Sequence, residues 1–359
     1  MYIENIKVKN FRNYKKEDIN LSKNINVFFG NNAQGKTNII ESIFICSMGK
    51  SFRSKKEKEL IKFNEKEAEI EIKYKKTDRE GIIKYVLNEK KYIYLNKIPV
   101  KKLSELVGNI NIVMFSPDDI NIIKNGPSKR RKFLNMLISQ LRPQYIYNYN
   151  TYMKVLEEKN NYLKKIKSEK IDNDLLDIYD EKLSEYAKNI NNDRNEFIEK
   201  IKNKIEKIHN DITEGKEQIK IKYISDCFNK KEYYEQLKSN RMEDIRRGFT
   251  KKGIHRDDIE FFINEKKVDI YGSQGQQRTS ILSLKLSELE VVFDEIGEYP
   301  VLLLDDFMSE LDENRKKAFL SNIKNTQIII TCTEDIKIEN LPLNKFKVEN
   351  GRIIKINNS

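Results

Sequence analysis

Gly30-Asn31-Asn32-Ala33-Gln34-Gly35-Lys36-Thr37 is the stretch from which the rest of the chain is best read. It matches G-x-x-x-x-G-K-[ST] at every fixed position. In that pattern the glycines let the backbone wrap closely with its N–H groups turned inward, so residues 30–35 can hold phosphate oxygens where a helix begins. Lys36 reaches the β- and γ-phosphates, and the Thr37 hydroxyl is a ligand for Mg²⁺. The flanks suit this reading. Ile25 to Phe29 (INVFF) is a short apolar run, and Ile39, Ile40, Ile43 and Phe44 then share one helical face.

A second element stands far along the chain. Val301-Leu302-Leu303-Leu304 is an apolar strand ending in Asp305 and Asp306. A strand buried on both faces delivers its last side chains to the carboxyl edge of a sheet, where open α/β folds bind ligands. Asp305 is expected to complete the magnesium shell begun by Thr37, and Asp306 to act as general base on water. Lys36 and Asp306 are thus the expected catalytic pair. Upstream, Ser273-Gln274-Gly275-Gln276-Gln277 is a small polar turn opening a helix, a third candidate anion site.

The chain has 359 residues, with 68 basic and 56 acidic side chains and a net charge of +12. That length suggests two units, or one large α/β domain carrying an insertion. No run approaches the ~18 apolar residues of a membrane span, and residues 1–14 lack the apolar core of a secretory signal. Secretion and membrane integration are not expected. Cys46, Cys227 and Cys332 are odd in number and widely spaced, which argues against a disulfide framework or zinc site. With only His209 and His255, histidine-rich metal chemistry is not expected either. The positive surplus suits a polyanionic partner.

Periodicity divides the chain into a strand-rich start, a helical middle and an alternating α/β end. Residues 2–9 and 66–100 alternate as strands, with a turn near Asn96–Pro99, and 110–115 form another. From about Ser128 to Asn210 apolar residues recur at three- and four-residue spacing, giving two or three long amphipathic helices. The expected domains are therefore 1–125, a helical insertion at 126–215, and 216–359. About 80 helical residues are too few for an extended coiled coil.

The order of phosphate loop, polar turn, two-acid strand and Ser309-Glu310-Leu311-Asp312 resembles ABC-type ATPase heads. In detail the chain resembles the RecF family, bacterial recombination and gap-repair ATPases related to SMC-type heads. The matching stretches are NFRNY (10–14), FFGNNAQGKTNIIESI (28–43), KSFR (50–53), FSPDD (115–119), PSKRRKFLN (127–135), GIHRDD (253–258), SQGQQRT (273–279) and LLLDDFMSELD (302–312). The fold this implies is α/β, an ABC-type ATPase head with an inserted α-helical subdomain and no long coiled coil.

The resemblance implies ATP and Mg²⁺ as cofactors and an ATP-dependent homodimer. In it Ser273, Gly275 and Gln276 of one copy face Lys36 and Thr37 of the other, and Arg12 lies near the nucleotide. It also implies weak, DNA-stimulated ATP hydrolysis and cytoplasmic, nucleoid-associated work at single-strand/double-strand gap junctions, where recombinase is loaded. Implied partners are DNA, RecR and other recombination mediators, with no membrane. Thr333 is expected where many ABC heads carry a switch histidine. That substitution, with Asp306 in place of glutamate, points to slow hydrolysis. Both features, and some 236 positions between Thr37 and Ser273, argue against a transporter subunit.

Three basic concentrations are candidate DNA contacts. They contain Arg53, Lys55 and Lys56; Arg130 and Arg131; and Arg246 and Arg247. Contact there would be with phosphates and independent of sequence. An ordinary solvated surface is the competing meaning in a chain so rich in lysine.

Overall fold

A computed structural model describes residues 1–169, 174–323, 325–335 and 343–356. It divides into two compact units, one formed by Met1–Asp119 with Ile281–Ser359 and the other by Ile120–Ser280.

Among the described residues the first unit contains two six-stranded sheets. One is built from strands whose side chains are buried on both faces: Ile112–Phe115 (IVMF), Val301–Asp305 (VLLLD), Ile328–Cys332 (IIITC) and most of Ile25–Phe29. Such runs belong in a covered parallel sheet, and these pair in parallel in that order, followed by Leu343–Glu349. An antiparallel edge strand, Arg352–Ile356, closes the sheet. Register puts Asp305 opposite Thr331 and Cys332 opposite Phe29. The residue after Phe29, Gly30, therefore leaves the sheet at the same edge as Asp305.

The other sheet is antiparallel, in the order Tyr14–Asn20, Tyr2–Phe11, Ala68–Lys75, Glu80–Leu87, Lys91–Leu95, Ile98–Pro99. Its strands alternate buried and exposed positions, as a sheet covered on one face requires. Asn96 and Lys97 take positive φ at the expected turn. The helix Lys36–Met48 is buried almost all round and packs on strands of both sheets. It ends at Gly49 in the left-handed conformation, whose N–H bonds to Ile45 C=O.

Among the described residues the second unit contains three long helices, Pro127–Leu141, Pro143–Glu169 and Leu175–Ile212. The last runs 38 residues and buries one stripe, including Leu183, Ala187, Ile190, Phe197, Ile201 and Ile205. This unit is wider than the expected helical segment 126–215. The strands Ile219–Ile224 and Asp258–Ile263 pair with each other, and they pack with the helices Lys230–Ser239 and Arg241–Arg247 around the long helices. Residues 216–280 thus share their core with the helical block, and the polar turn at Ser273 belongs to this unit. Among the described residues no helix is long and apolar enough to cross a membrane.

Candidate functional site

The phosphate loop is bonded from outside by residues at the turns and strand ends beside it. Asn13 Nδ2 donates to Gln34 C=O (2.6 Å), Tyr14 OH donates to Gly35 C=O (2.9 Å), and the Asn350 N–H donates to Gln34 Oε1 (2.6 Å). Gly30 has φ +153°, and a Cβ there would lie 2.3 Å from the Val348 carbonyl oxygen; Gly35 has φ +115°, and a Cβ there would lie 2.6 Å from Asn13 Nδ2. Only glycine fits either place. Lys36 is buried, with Nζ donating to Gly30 C=O (2.7 Å) and Asn31 C=O (3.0 Å). An ammonium has three donors, so one remains for an anion in the loop.

At the sheet edge, Asp305 Oδ1 accepts from Thr37 Oγ1 (2.8 Å) and from Thr331 Oγ1 (2.9 Å). Burial pushes the Asp305 carboxyl above its ordinary range. The two hydroxyls oppose this, the Asp306 charge adds to it, and the Arg53 charge lowers it. A desolvated carboxylate beside a hydroxyl is chemically suited to Mg²⁺, which takes one or two carboxylates and fills its shell with phosphate oxygens and water. Thr37 and Asp305 together offer the hydroxyl and carboxylate that Mg²⁺ takes.

Asp306 leaves the strand in the left-handed region at φ 49°, a conformation that side chains other than glycine adopt at some energetic expense. Its N–H is held there by Thr331, through Oγ1 at 3.0 Å and C=O at 3.2 Å. The turn redirects Asp306 out of the strand line while Asp305 stays in it. Thr331 is thus a hub for both acids. Thr333, expected to stand in for a switch histidine, is exposed two residues further on.

Arg12, expected near the nucleotide, is fastened to the phosphate-loop helix and the segment that follows it. Its guanidinium grips the fully buried Glu41 with two hydrogen bonds (2.6 and 2.8 Å) and also reaches Ser54 Oγ and Glu59 C=O. Ser51 Oγ donates to the same carboxylate. Arg12 and Glu41 together pin the KSFR segment to the phosphate-loop helix. Arg53, expected on DNA, stands by the loop as a result. Its Nη1 donates to Asn38 Oδ1 (3.2 Å), and Asp305 feels its charge.

Ser273 and Gln276 form a reciprocal cap on the helix Gln274–Ile296. Ser273 N–H donates to Gln276 Oε1 (2.9 Å) and Gln276 N–H to Ser273 Oγ (3.2 Å). Gly275 sits half-buried in the first turn, and Ser273 is exposed. Of the remaining basic candidates, Lys55, Lys56 and Arg246 are exposed, and Arg247 pairs with Glu243. Arg130 is buried and bidentate on Asp258 (2.6 and 2.9 Å), leaving it no face for DNA. Half-buried Arg131 donates to Asp257 C=O. These two arginines tie the helix Pro127–Leu141 to the GIHRDD segment.

Asn13, Glu41 and Thr331 carry the loop and both acids, yet sequence reasoning gave them no role. The signal for Thr331 was a lone hydroxyl in an otherwise apolar buried strand, IIITC.

A parallel sheet whose carboxyl edge gathers Lys36, Thr37, Asp305 and Asp306 defines an ATPase head of the ABC/SMC type. The pattern of the RecF/RecN/SMC N terminal domain matches residues 2–351. The chain is 46% identical to the DNA replication and repair protein RecF of Clostridium tetani, over 99% of this chain and 100% of that protein. It is 41% identical to RecF of Clostridioides difficile, over 100% and 99%. A solved structure described as the recombination mediator protein RecF with ATP in the RecFOR pathway superposes with TM-score 0.92 at 39% identity, covering 99% of this chain and 98% of that one. An SMC head from Pyrococcus furiosus shares the fold at TM-score 0.58 and 19% identity. The chain belongs to the RecF family of DNA replication and repair proteins.

Proposed function

We propose that this chain binds ATP with Mg²⁺ between two of its own copies, that closure of the pair grips DNA at gap junctions, and that slow hydrolysis reopens it. The observation that carries this reading is the convergence of Thr37, Asp305 and Thr331 beside the buried Lys36. The solved RecF structure with ATP, similar along its whole length, supports the choice of nucleotide.

Lys36, already bonded to its own loop, keeps that loop curled and offers its third donor to a phosphate. Thr37 and Asp305 would hold the Mg²⁺, which when bound draws charge from phosphate oxygens. Asp306, turned out of the strand, takes a proton from water at its carboxylate. Arg53 adds positive charge beside the loop, and its place there makes it a nucleotide contact in preference to a DNA contact. Ser273, presented at a helix N-terminus, meets the other copy's nucleotide. RecR and other mediators acting on DNA in the cytoplasm are the partners this reading takes from the family.

Sedimentation with and without ATP and Mg²⁺ tests it. The unaltered chain should become a dimer on adding ATP, Lys36→Met should stay monomeric, and Asp306→Asn should dimerise and persist because water is not activated. An unaltered chain whose sedimentation ignores ATP, or an Asp306→Asn variant that hydrolyses at the normal single-turnover rate, refutes the proposal.

A further inference from the structure

The GIHRDD segment (253–258) of the second unit is heavily braced. Gly253 has φ +139°, and a Cβ there would lie 2.3 Å from both Tyr152 OH and Tyr233 OH. Ile254 is buried, and its C=O accepts from Arg194 (2.7 Å). His255 Nε2 donates to Thr250 C=O (3.1 Å), so Nδ1 accepts from Tyr152 OH (2.9 Å). Asp257 is buried on Arg194 (2.6 Å) and Tyr223 (2.5 Å), and Asp258 is bound by Arg130. Arg194, itself fully buried, is further held by Tyr145 and Asn135.

One side chain of the six is exposed, that of Arg256. Its guanidinium lies 5.8 Å from the ring centroid of Phe249, itself 37% exposed. Among the described residues it has no acidic partner, whereas neighbouring Lys251, Lys252 and Arg247 are paired with Glu243, Asp226 and Glu243.

Buried ion pairs such as Arg194–Asp257 add little net stability, because desolvation offsets attraction. What this network does achieve is a single loop conformation. An arginine stacked on an aromatic face keeps its N–H edges free and has already lost most of its side-chain freedom, so binding an anion orders little more. Exposed Arg246, three residues before Phe249, adds charge of the same sign.

We infer that Arg256, stacked on Phe249 and held by the buried Arg194–Asp257 network, is a pre-positioned contact for the phosphodiester backbone of DNA. This rests on the DNA-gripping reading above and assigns a residue to it. A fixed guanidinium reads phosphate position and not base sequence, in keeping with a protein that grips DNA of any sequence.

Anisotropy with fluorescein-labelled duplex and single-stranded oligonucleotides, titrated with salt in the presence of ATP and Mg²⁺, tests the assignment. Arg256→Ala should weaken binding roughly tenfold and lower the slope of log affinity against log salt by about 0.9 on duplex, or about 0.7 on single strands, for each Arg256 of the pair that meets a phosphate. Phe249→Ala should weaken binding with the slope retained. Independently of any variant, DNA should protect Arg256 of the unaltered chain from phenylglyoxal. If the unaltered chain binds neither oligonucleotide, the DNA reading itself fails. If it binds both while Arg256→Ala matches its affinity and slope and Arg256 stays reactive, only this assignment fails. An Arg256→Ala variant that binds DNA normally but no longer dimerises with ATP would also overturn the assignment, placing Arg256 against the second copy.

Discussion

Replacing Gly30 by alanine would test whether the phosphate loop is shaped by the edge of the sheet. At φ +153° a residue with a side chain sits in a region essentially reserved for glycine, at about 1–3 kcal/mol. The new methyl would also meet the Val348 carbonyl oxygen at 2.3 Å, roughly 1 Å inside contact distance. That oxygen is backbone, next to Lys347, which pairs with Phe29, so relief requires prising two parallel strands apart at their carboxyl ends. A total of about 3–5 kcal/mol follows, typical of strain added to a clash in packed surroundings. Gly297→Ala is the internal control. It too has positive φ (+71°), but nothing lies within 4 Å of the added methyl, so about 1–2 kcal/mol is expected. Urea unfolding followed by circular dichroism should separate the two variants by about 2–3 kcal/mol. Because Gly30 C=O also accepts from Lys36, calorimetric titration should show ATP affinity reduced at least about tenfold in Gly30→Ala alone. A Gly30→Ala chain as stable as Gly297→Ala, or one that binds ATP normally, would show that the sheet edge does not set the loop.

Two further outcomes follow from single contacts. Thr331→Val keeps the shape of the strand but removes the hydroxyl that donates to Asp305 and accepts from Asp306 N–H. The Mg²⁺ concentration needed for half-maximal ATP binding should rise about tenfold, in line with one lost hydrogen bond to a charged group, and more steeply at lower pH. An unchanged Mg²⁺ requirement would remove Thr331 from the site. Burial, with the Arg256 and Arg131 charges, pushes the His255 imidazole down to about 4. Its contribution to stability is therefore complete above the unfolded value of about 6.5 and is lost as pH falls towards 4, up to about 3 kcal/mol. Proton resonances of the two histidines, assigned with His209→Asn, should show His255 still neutral at pH 5; titration near 6.5 would contradict the buried Tyr152–His255–Thr250 arrangement.

Much of the fold was legible because the decisive strands are short, mostly apolar and bounded by glycine or acid. INVFF ends at Gly30 and VLLLD at Asp305, as the structure confirms. The strand pair Leu343–Glu349 and Arg352–Ile356 went unread, since its alternation is weak and rich in lysine and asparagine. The extent of the inserted unit was also missed. Residues 216–280 were expected in the C-terminal part, 216–359, and only packing joins them to the helices in one core. Arg130 and Arg131 read as an exposed basic cluster because sequence shows charge without showing its partner; Asp258 lies 128 residues from Arg130.

The order of residues alone determined the nucleotide loop, the paired acids and the family, because those features depend on local spacing and on backbone freedom at particular glycines. Tertiary structure decided which charges are free. It brought Thr331 to Asp305 by strand register, set Glu41 against Arg12 to steer Arg53 towards the loop, and buried Arg194 so that Arg256 stands exposed. Those assignments turn on distances between residues tens of positions apart, which only the folded chain establishes.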